Sequence, residues 1–247
     1  MKSIKNLLLD LDGTLVNLDE IKAKLYFVSK AILWKEFNTS PIRILYSFLT
    51  FKERIISNPN EVLIYQKAIN GFSESMNISI TKSEKLLNNF LEVTFPLLKK
   101  YFTLIPEANN FINWAKNKYT LFLATNPFWP PEYVSLRLQW AGIDVNAFKF
   151  ISHSKNMNYS KHSKKYFQDL LSRNKLNSQE CLMIGNKLSL DGNAREVGMN
   201  VFIVNLEKKK KKFLGRNPLK NFESKPINFG QYSNLIEYLE RNSKCLL

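Results

Sequence analysis

Two carboxylates, Asp10 and Asp12, leave the end of an apolar run, Ile4 to Leu9, with Gly13 and Thr14 directly behind them. Two negative charges set so close are costly without a cation or a shared proton to offset them. Gly13 permits a tight turn, and Thr14 offers a hydroxyl and a backbone N–H to whatever binds there. Taken alone, D-x-D-G-T also fits a surface turn, because Asp-Gly is a common turn pair. Three further sites have matching chemistry. Thr125 and Asn126 follow the apolar run ending in Ala124; Lys161 precedes a helical pattern; Gly185 closes another apolar run, with Asp191 in the stretch beyond it. A capping threonine, a surface lysine and an ordinary loop are the plain alternatives for these.

The elements that must bring these residues together alternate. Short, nearly continuous apolar runs are expected as strands at Ile4 to Leu9, Thr120 to Ala124, Phe148 to Ser152, Cys181 to Ile184 and Val201 to Val204. Such runs suit a parallel sheet covered on both faces. Helical patterns lie between them at Pro106 to Asn117, Glu132 to Ala141, Ser163 to Arg173 and Asn193 to Val197, with a last one at Ser233 to Glu240. Strand and helix alternation predicts an α/β core, a Rossmann-like, doubly wound parallel sheet. Asp10, Thr125 and Gly185 all follow strands, where such a sheet places its ligands.

From Val16 to Tyr101 the rhythm changes. Four helices are expected, Glu20 to Glu36, Pro41 to Ile55, Asn60 to Met76 and Thr81 to Lys100, with no convincing β run. Residues 16–101 are therefore expected to form an all-helical domain inserted into a core of residues 1–15 and 102–247, with hinges near Val16 and Tyr101. Such an insertion would act as a lid over the end of the first strand.

Composition narrows the classes further. The chain has 247 residues, 45% of them hydrophobic, enough for a substantial core. Its two cysteines, Cys181 and Cys245, exclude a disulfide framework and suggest a cytoplasmic setting. No run approaches the roughly 18 apolar residues that span a bilayer, so no membrane role is expected. His153 and His162 are the only histidines, and no third ligand near them suggests zinc. A formal charge of +15 should attract phosphorylated small molecules and polyanions. Lys208 to Lys212 lie in the basic stretch Glu207 to Lys225, which fits a solvated loop better than a nucleic-acid contact.

The ordered set DLDGTL, ATNP, Lys161 and GNKLSLD resembles the haloacid dehalogenase superfamily, in its phosphatase-like branch with a helical cap after the first motif. The resemblance covers nearly the whole chain. It implies that Asp10 is a nucleophile forming an aspartyl-phosphate and touching Mg2+. Asp12 would protonate the leaving oxygen and then activate water, its backbone carbonyl ligating the metal. Thr125 would hold a phosphoryl oxygen, and Lys161 would neutralise charge. Asp10, Asp12 and Asp191 are the implied metal residues, and the substrate would be a small phosphorylated metabolite.

One position departs from the pattern. The fourth motif normally offers D-x-x-x-D, and in that frame Lys187 takes the place of the first acidic residue and Asp191 the second. A protonated lysine cannot coordinate Mg2+, so Lys187 is expected either to fill the metal region and pair with Asp10 or to be turned outward. Three outcomes stay open: a working phosphatase, an impaired relative that binds phosphorylated ligands, and a polyanion-binding protein using Lys208 to Lys212. Phe128 and Trp129 are expected either to wall the pocket or to pack between cap and core.

Overall fold

Leu7, Leu8 and Leu9 are all fully buried, so the first strand is covered on both faces. That is the burial expected of a continuous apolar run within a parallel sheet. In the computed structural model, which describes residues 3–58, 61–205 and 227–244, this strand is β1 (Asn6–Leu9). It pairs in parallel with β4 (Thr120–Leu123) on one side and β6 (Cys181–Gly185) on the other. Beyond these lie β5 (Phe150–Ile151), β7 (Asn200–Val204) and β8 (Ile227–Gly230), in the order β5-β4-β1-β6-β7-β8.

Side chains alternate across the sheet. Leu7, Leu9, Leu121, Leu123, Leu182 and Ile184 belong to one apolar cluster. Leu8, Phe122, Cys181 and Met183 belong to the cluster on the other face, against α7 (Lys164–Arg173) and Leu188 of the short α8 (Leu188–Asp191). The first cluster is closed by α5 (Pro106–Ala115), α6 (Pro131–Trp140) and α9 (Tyr232–Lys244), through Phe111, Leu138 and Leu235. The expected α/β architecture, a parallel Rossmann-like core with helices on both faces and a block of helices inserted in it, is what the chain forms.

Between β1 and β4 the chain leaves the core. β2 (Val16–Leu18) and β3 (Phe102–Leu104) pair antiparallel, Val16 opposite Leu104 and Leu18 opposite Phe102. Between them run α1 (Glu20–Leu33), α2 (Pro41–Ser57), α3 (Ile64–Met76) and α4 (Ile80–Thr94), then a 3-10 segment, Phe95–Tyr101. Asp19, Ser40 and Ser79 cap three of these helices with side-chain oxygens. Phe27, Phe37, Phe48, Phe72 and Phe90 meet as tilted and edge-on rings in their shared core.

The structure corrects the expectation at three points. Val16 to Leu18 forms a strand, and its two-stranded ribbon ties the ends of the helical block. Pro96 closes the last long helical pattern at Thr94, because it has no N–H to continue the α-helical ladder, and a tighter 3-10 segment follows. The edge strand Ile227 to Gly230, half-buried, carries too weak an apolar pattern to be recognised.

Candidate active site

The ends of β1, β4 and β6 lie side by side. Asp10 N–H donates to Ile184 O at 2.9 Å, and Ala124 N–H donates to Leu9 O at 2.7 Å. By register Asp10 is thereby flanked by Ala124, which Thr125 follows, on one side and by Gly185 on the other. The turn beyond it is held by backbone bonds, Leu15 N–H to Leu11 O at 2.8 Å and Gly13 N–H to Val16 O at 2.7 Å. Gly13 has φ +82°, a conformation that favours glycine. From α9, the Tyr232 hydroxyl donates to Thr14 O at 2.6 Å and pins this turn from below.

Lys161 is the hub. Its side chain is almost wholly buried, and Nζ lies 2.7 Å from both Asp10 Oδ1 and Asp191 Oδ1. Burial disfavours the charge on this amine, but the two carboxylates outweigh that and hold its pKa above the ordinary value. For Asp10, burial dominates and pushes the carboxyl up to about 6, against the pull of Lys161. Thr14 Oγ1 donates to the other Asp10 oxygen over 3.4 Å. The backbone of Lys161 is fixed by the amides of two asparagines, Asn126 Oδ1 accepting from its N–H at 3.3 Å and Asn193 Nδ2 donating to its carbonyl at 3.0 Å.

Thr125, just past the end of β4, is buried, and its carbonyl accepts from Ser152 Oγ at 3.0 Å and the Tyr166 hydroxyl at 2.9 Å. The expected set Asp10, Asp12, Thr125, Lys161 and Asp191 is thus gathered at the carboxyl ends of three adjacent strands.

Of the two expectations for Lys187 the structure shows the second: the side chain is turned outward and does not pair with Asp10. Its amine pairs with Glu20 on α1, well away from Asp10. Its backbone N–H instead donates to Asp191 Oδ2 at 2.9 Å. Both oxygens of Asp191 are therefore engaged by nitrogen donors, and the side chain fills the space where a Cβ on Gly185 would fall 2.1 Å from Oδ2. The residue that faces the Asp10 turn is Asn186. Its carboxamide lies against Gly13, where an added Cβ would come within 2.0 Å of Nδ2. β6 ends at Gly185, so the side chain next in sequence, Asn186, is the one that faces the turn after β1.

Arg137 was also not anticipated. It is buried on α6, with Nε bonded to Tyr133 O on its own helix and Nη1 to Asp12 Oδ2 at 2.6 Å. The signal was present in the spacing: Tyr133, Val134, Arg137, Leu138 and Ala141 form one buried stripe, and a single cation on it needs a buried partner. Asp12 Oδ1, Asn186 Oδ1 and Arg137 Nη2 are buried without a hydrogen-bond partner. Buried polar atoms are normally paired. Three unpaired atoms around one strand end mark a place prepared for a ligand.

A family profile described as haloacid dehalogenase-like hydrolase matches residues 4–192. The chain belongs to the haloacid dehalogenase-like hydrolases. The fold of these hydrolases is shared with a 2-haloacid dehalogenase from Pseudomonas syringae pv. Tomato DC3000, at 18% identity over 96% of this chain and 99% of that one, with a TM-score of 0.62. A HAD phosphatase from Thermococcus onnurineus is 19% identical over 96% and 98%, with a TM-score of 0.57. The HAD-hydrolase YfnB from Bacillus subtilis, bound to magnesium, is 20% identical over 96% and 99%, with a TM-score of 0.53. No curated protein matches the sequence.

Among the described residues no three His, Cys, Asp or Glu side chains form a metal cluster. The chemistry of the donors nevertheless suits Mg2+: the Asp10 carboxylate and the buried, unpartnered amide oxygen of Asn186 are hard oxygen ligands. No helix among the described residues is long and apolar enough to cross a membrane. Lys208 to Lys212 lie outside the described residues.

Proposed function

We propose that the chain hydrolyses a phosphomonoester through an aspartyl-phosphate on Asp10. The observation that carries this reading is the buried Lys161 ammonium bridging Asp10 and Asp191 at 2.7 Å each. It keeps the Asp10 carboxylate ionised at neutral pH in spite of burial and fixes which of its oxygens is free to attack. In the first step a carboxylate oxygen of Asp10 bonds to phosphorus. The bond from phosphorus to the leaving oxygen breaks, and that oxygen takes a proton from Asp12. In the second step Asp12 takes a proton from water, whose oxygen displaces Asp10 and releases phosphate. Arg137 holds Asp12 beside Asp10 while leaving Asp12 Oδ1 free of other partners.

Asp10, the Asp12 carbonyl and Asn186 Oδ1 would hold Mg2+, which offsets the charge gathered when phosphoryl oxygens approach Asp10. The metal role expected of Asp191 passes to Asn186, and Asp191 positions Lys161. The helical insertion of residues 16–101 serves as the cap that keeps water from the site.

Asp12 supports phosphatase chemistry over dehalogenation, because an alkoxide leaving group needs the proton that a halide does not. A generic aryl phosphate should be hydrolysed in the presence of Mg2+, more slowly with chelator, and Asp10→Asn should lose at least a thousandfold in kcat. Turnover that survives Asp10→Asn would overturn the assignment of the nucleophile.

A further inference from the structure

Asp12 opens toward the cap into a cavity of about 210 Å3, lined also by Glu20, Leu98, Phe102 and Arg137. A second cavity, again of about 210 Å3, lies deeper in the cap, against Phe48, Phe51, Phe72, Leu87 and Leu91. Lys24, Phe27 and Trp129 line both. The two spaces are therefore neighbours, divided by the touching rings of Phe27 and Trp129.

The deeper wall is mostly aromatic and aliphatic. Its polar groups are largely satisfied elsewhere: the Tyr65 hydroxyl donates to Glu84 Oε1 at 2.9 Å, and the Ser47 and Ser75 hydroxyls are hydrogen-bonded to each other at 2.7 Å. Ser154 differs, since it is buried and its hydroxyl has no partner. A sugar or other polyhydroxy group placed here would meet the Ser154 hydroxyl and the Lys24 amine but leave most of its hydroxyls unpaired, and burying such groups without partners is unfavourable. An apolar cavity of about 150 Å3 takes up benzene, so this one accommodates about six to eight carbon atoms.

We infer that the leaving group of the substrate is apolar, an alkyl or aryl alcohol of about this size, and that it occupies the cavity between Phe72, Leu87 and Trp129. The inference rests on the phosphatase reading of Asp10 and Asp12 and adds the class of alcohol released. Phe27 and Trp129 meet edge to face with ring centroids 5.7 Å apart, so the passage runs between a cap residue and a core residue. Substrate entry accordingly requires the cap to part from the core at this contact.

The test compares n-hexyl phosphate with methyl phosphate, whose leaving alcohols are alike in acidity, so that a rate difference reports binding of the alkyl chain. Each buried methylene contributes a factor of roughly four. The hexyl chain is five methylenes longer, so kcat/KM for n-hexyl phosphate is expected to exceed that for methyl phosphate on the order of a thousandfold. Ala68→Phe, which places a ring in the cavity, should bring the two within a few-fold of each other. Equal values in the wild-type protein, or a hexyl preference untouched by Ala68→Phe, overturn the inference and leave the phosphatase reading standing. Should Ala68→Phe fail to fold, Leu87→Ala enlarges the same space and should move the optimum from hexyl to octyl; an unmoved optimum overturns the inference. If neither ester is hydrolysed, the phosphatase reading fails by itself. Calorimetry with n-hexylphosphonate and methylphosphonate then decides about the cavity, at least tenfold tighter hexyl binding supporting it and equal binding overturning it.

Discussion

Asn186 and Lys187 are adjacent in sequence and point apart, one over Gly13 and the other to Glu20. In a neutral amide the oxygen is a Mg2+ ligand without the charge of a carboxylate, so metal binding is expected to be weak. Asn186→Asp should tighten Mg2+ at least tenfold by titration calorimetry, about 1.4 kcal/mol, while Lys187→Ala should change it less than twofold. The reverse ranking would return Lys187 to the metal site. Asp10 makes a second test. Its pKa is raised by burial from 3.8 to about 6, so the carboxylate nucleophile is lost as pH falls through about 6, and kcat/KM should show an acid limb there. For stability the sign is opposite. A raised folded-state pKa contributes stability that is fully present below 3.8 and is lost as pH rises through about 6. Asp10→Asn removes this dependence, so between pH 4 and pH 7 the stability of the variant should rise relative to wild type by on the order of 3 kcal/mol, followed by denaturant unfolding.

The turn from Asp10 to Val16 is the element on which the site depends most. It reverses direction within six residues, sends Asp12 toward the cap, and delivers the chain into β2. Gly13 carries the left-handed conformation, and Asn186 occupies the space its missing side chain leaves. Gly13→Ala should therefore cost more than the roughly 1–3 kcal/mol of a strained backbone alone, since Asn186 must also move. Thermal unfolding measures the stability loss, and a parallel loss of Mg2+ affinity would show that the Asn186 carboxamide has been displaced. α6 plays a supporting part, bringing Arg137 to Asp12 from the buried face of its helix.

Across the whole molecule the helical block is seated on the core by backbone hydrogen bonds and packed rings. Ile64 and Tyr65, at the start of α3, donate their N–H groups to Met157 O and Ser154 O at 2.9 Å each. Trp129 stands between Phe27 and Phe95, with ring centroids 5.7 and 4.9 Å away. It thus packs between the two parts and lines the cavities, combining both roles open to it in the sequence. Trp129→Ala should loosen this seam without unfolding the core. By hydrogen exchange, the amides of Ile64 and Tyr65 should lose protection at least tenfold, while those of Leu7, Leu8 and Leu9 keep theirs. Uniform loss across the chain would mean that the two parts unfold as one.

By itself the sequence determined the parallel core and the inserted helices, and it singled out Asp10, Asp12, Thr125, Lys161 and Asp191 as candidates for one site. These are carried by local patterns: apolar runs of strand length, capped helices, and polar residues directly following a strand. Tertiary structure alone decided which side chains meet. Arg137 reaches Asp12 across 125 residues, Tyr232 reaches Thr14 across 218, and Asn186 rather than Lys187 faces the site. The weak edge strand β8 and the ribbon of β2 and β3 belong to the same class. Their few residues have no strong period of their own, and they take strand form because a neighbouring strand supplies the hydrogen-bond partners.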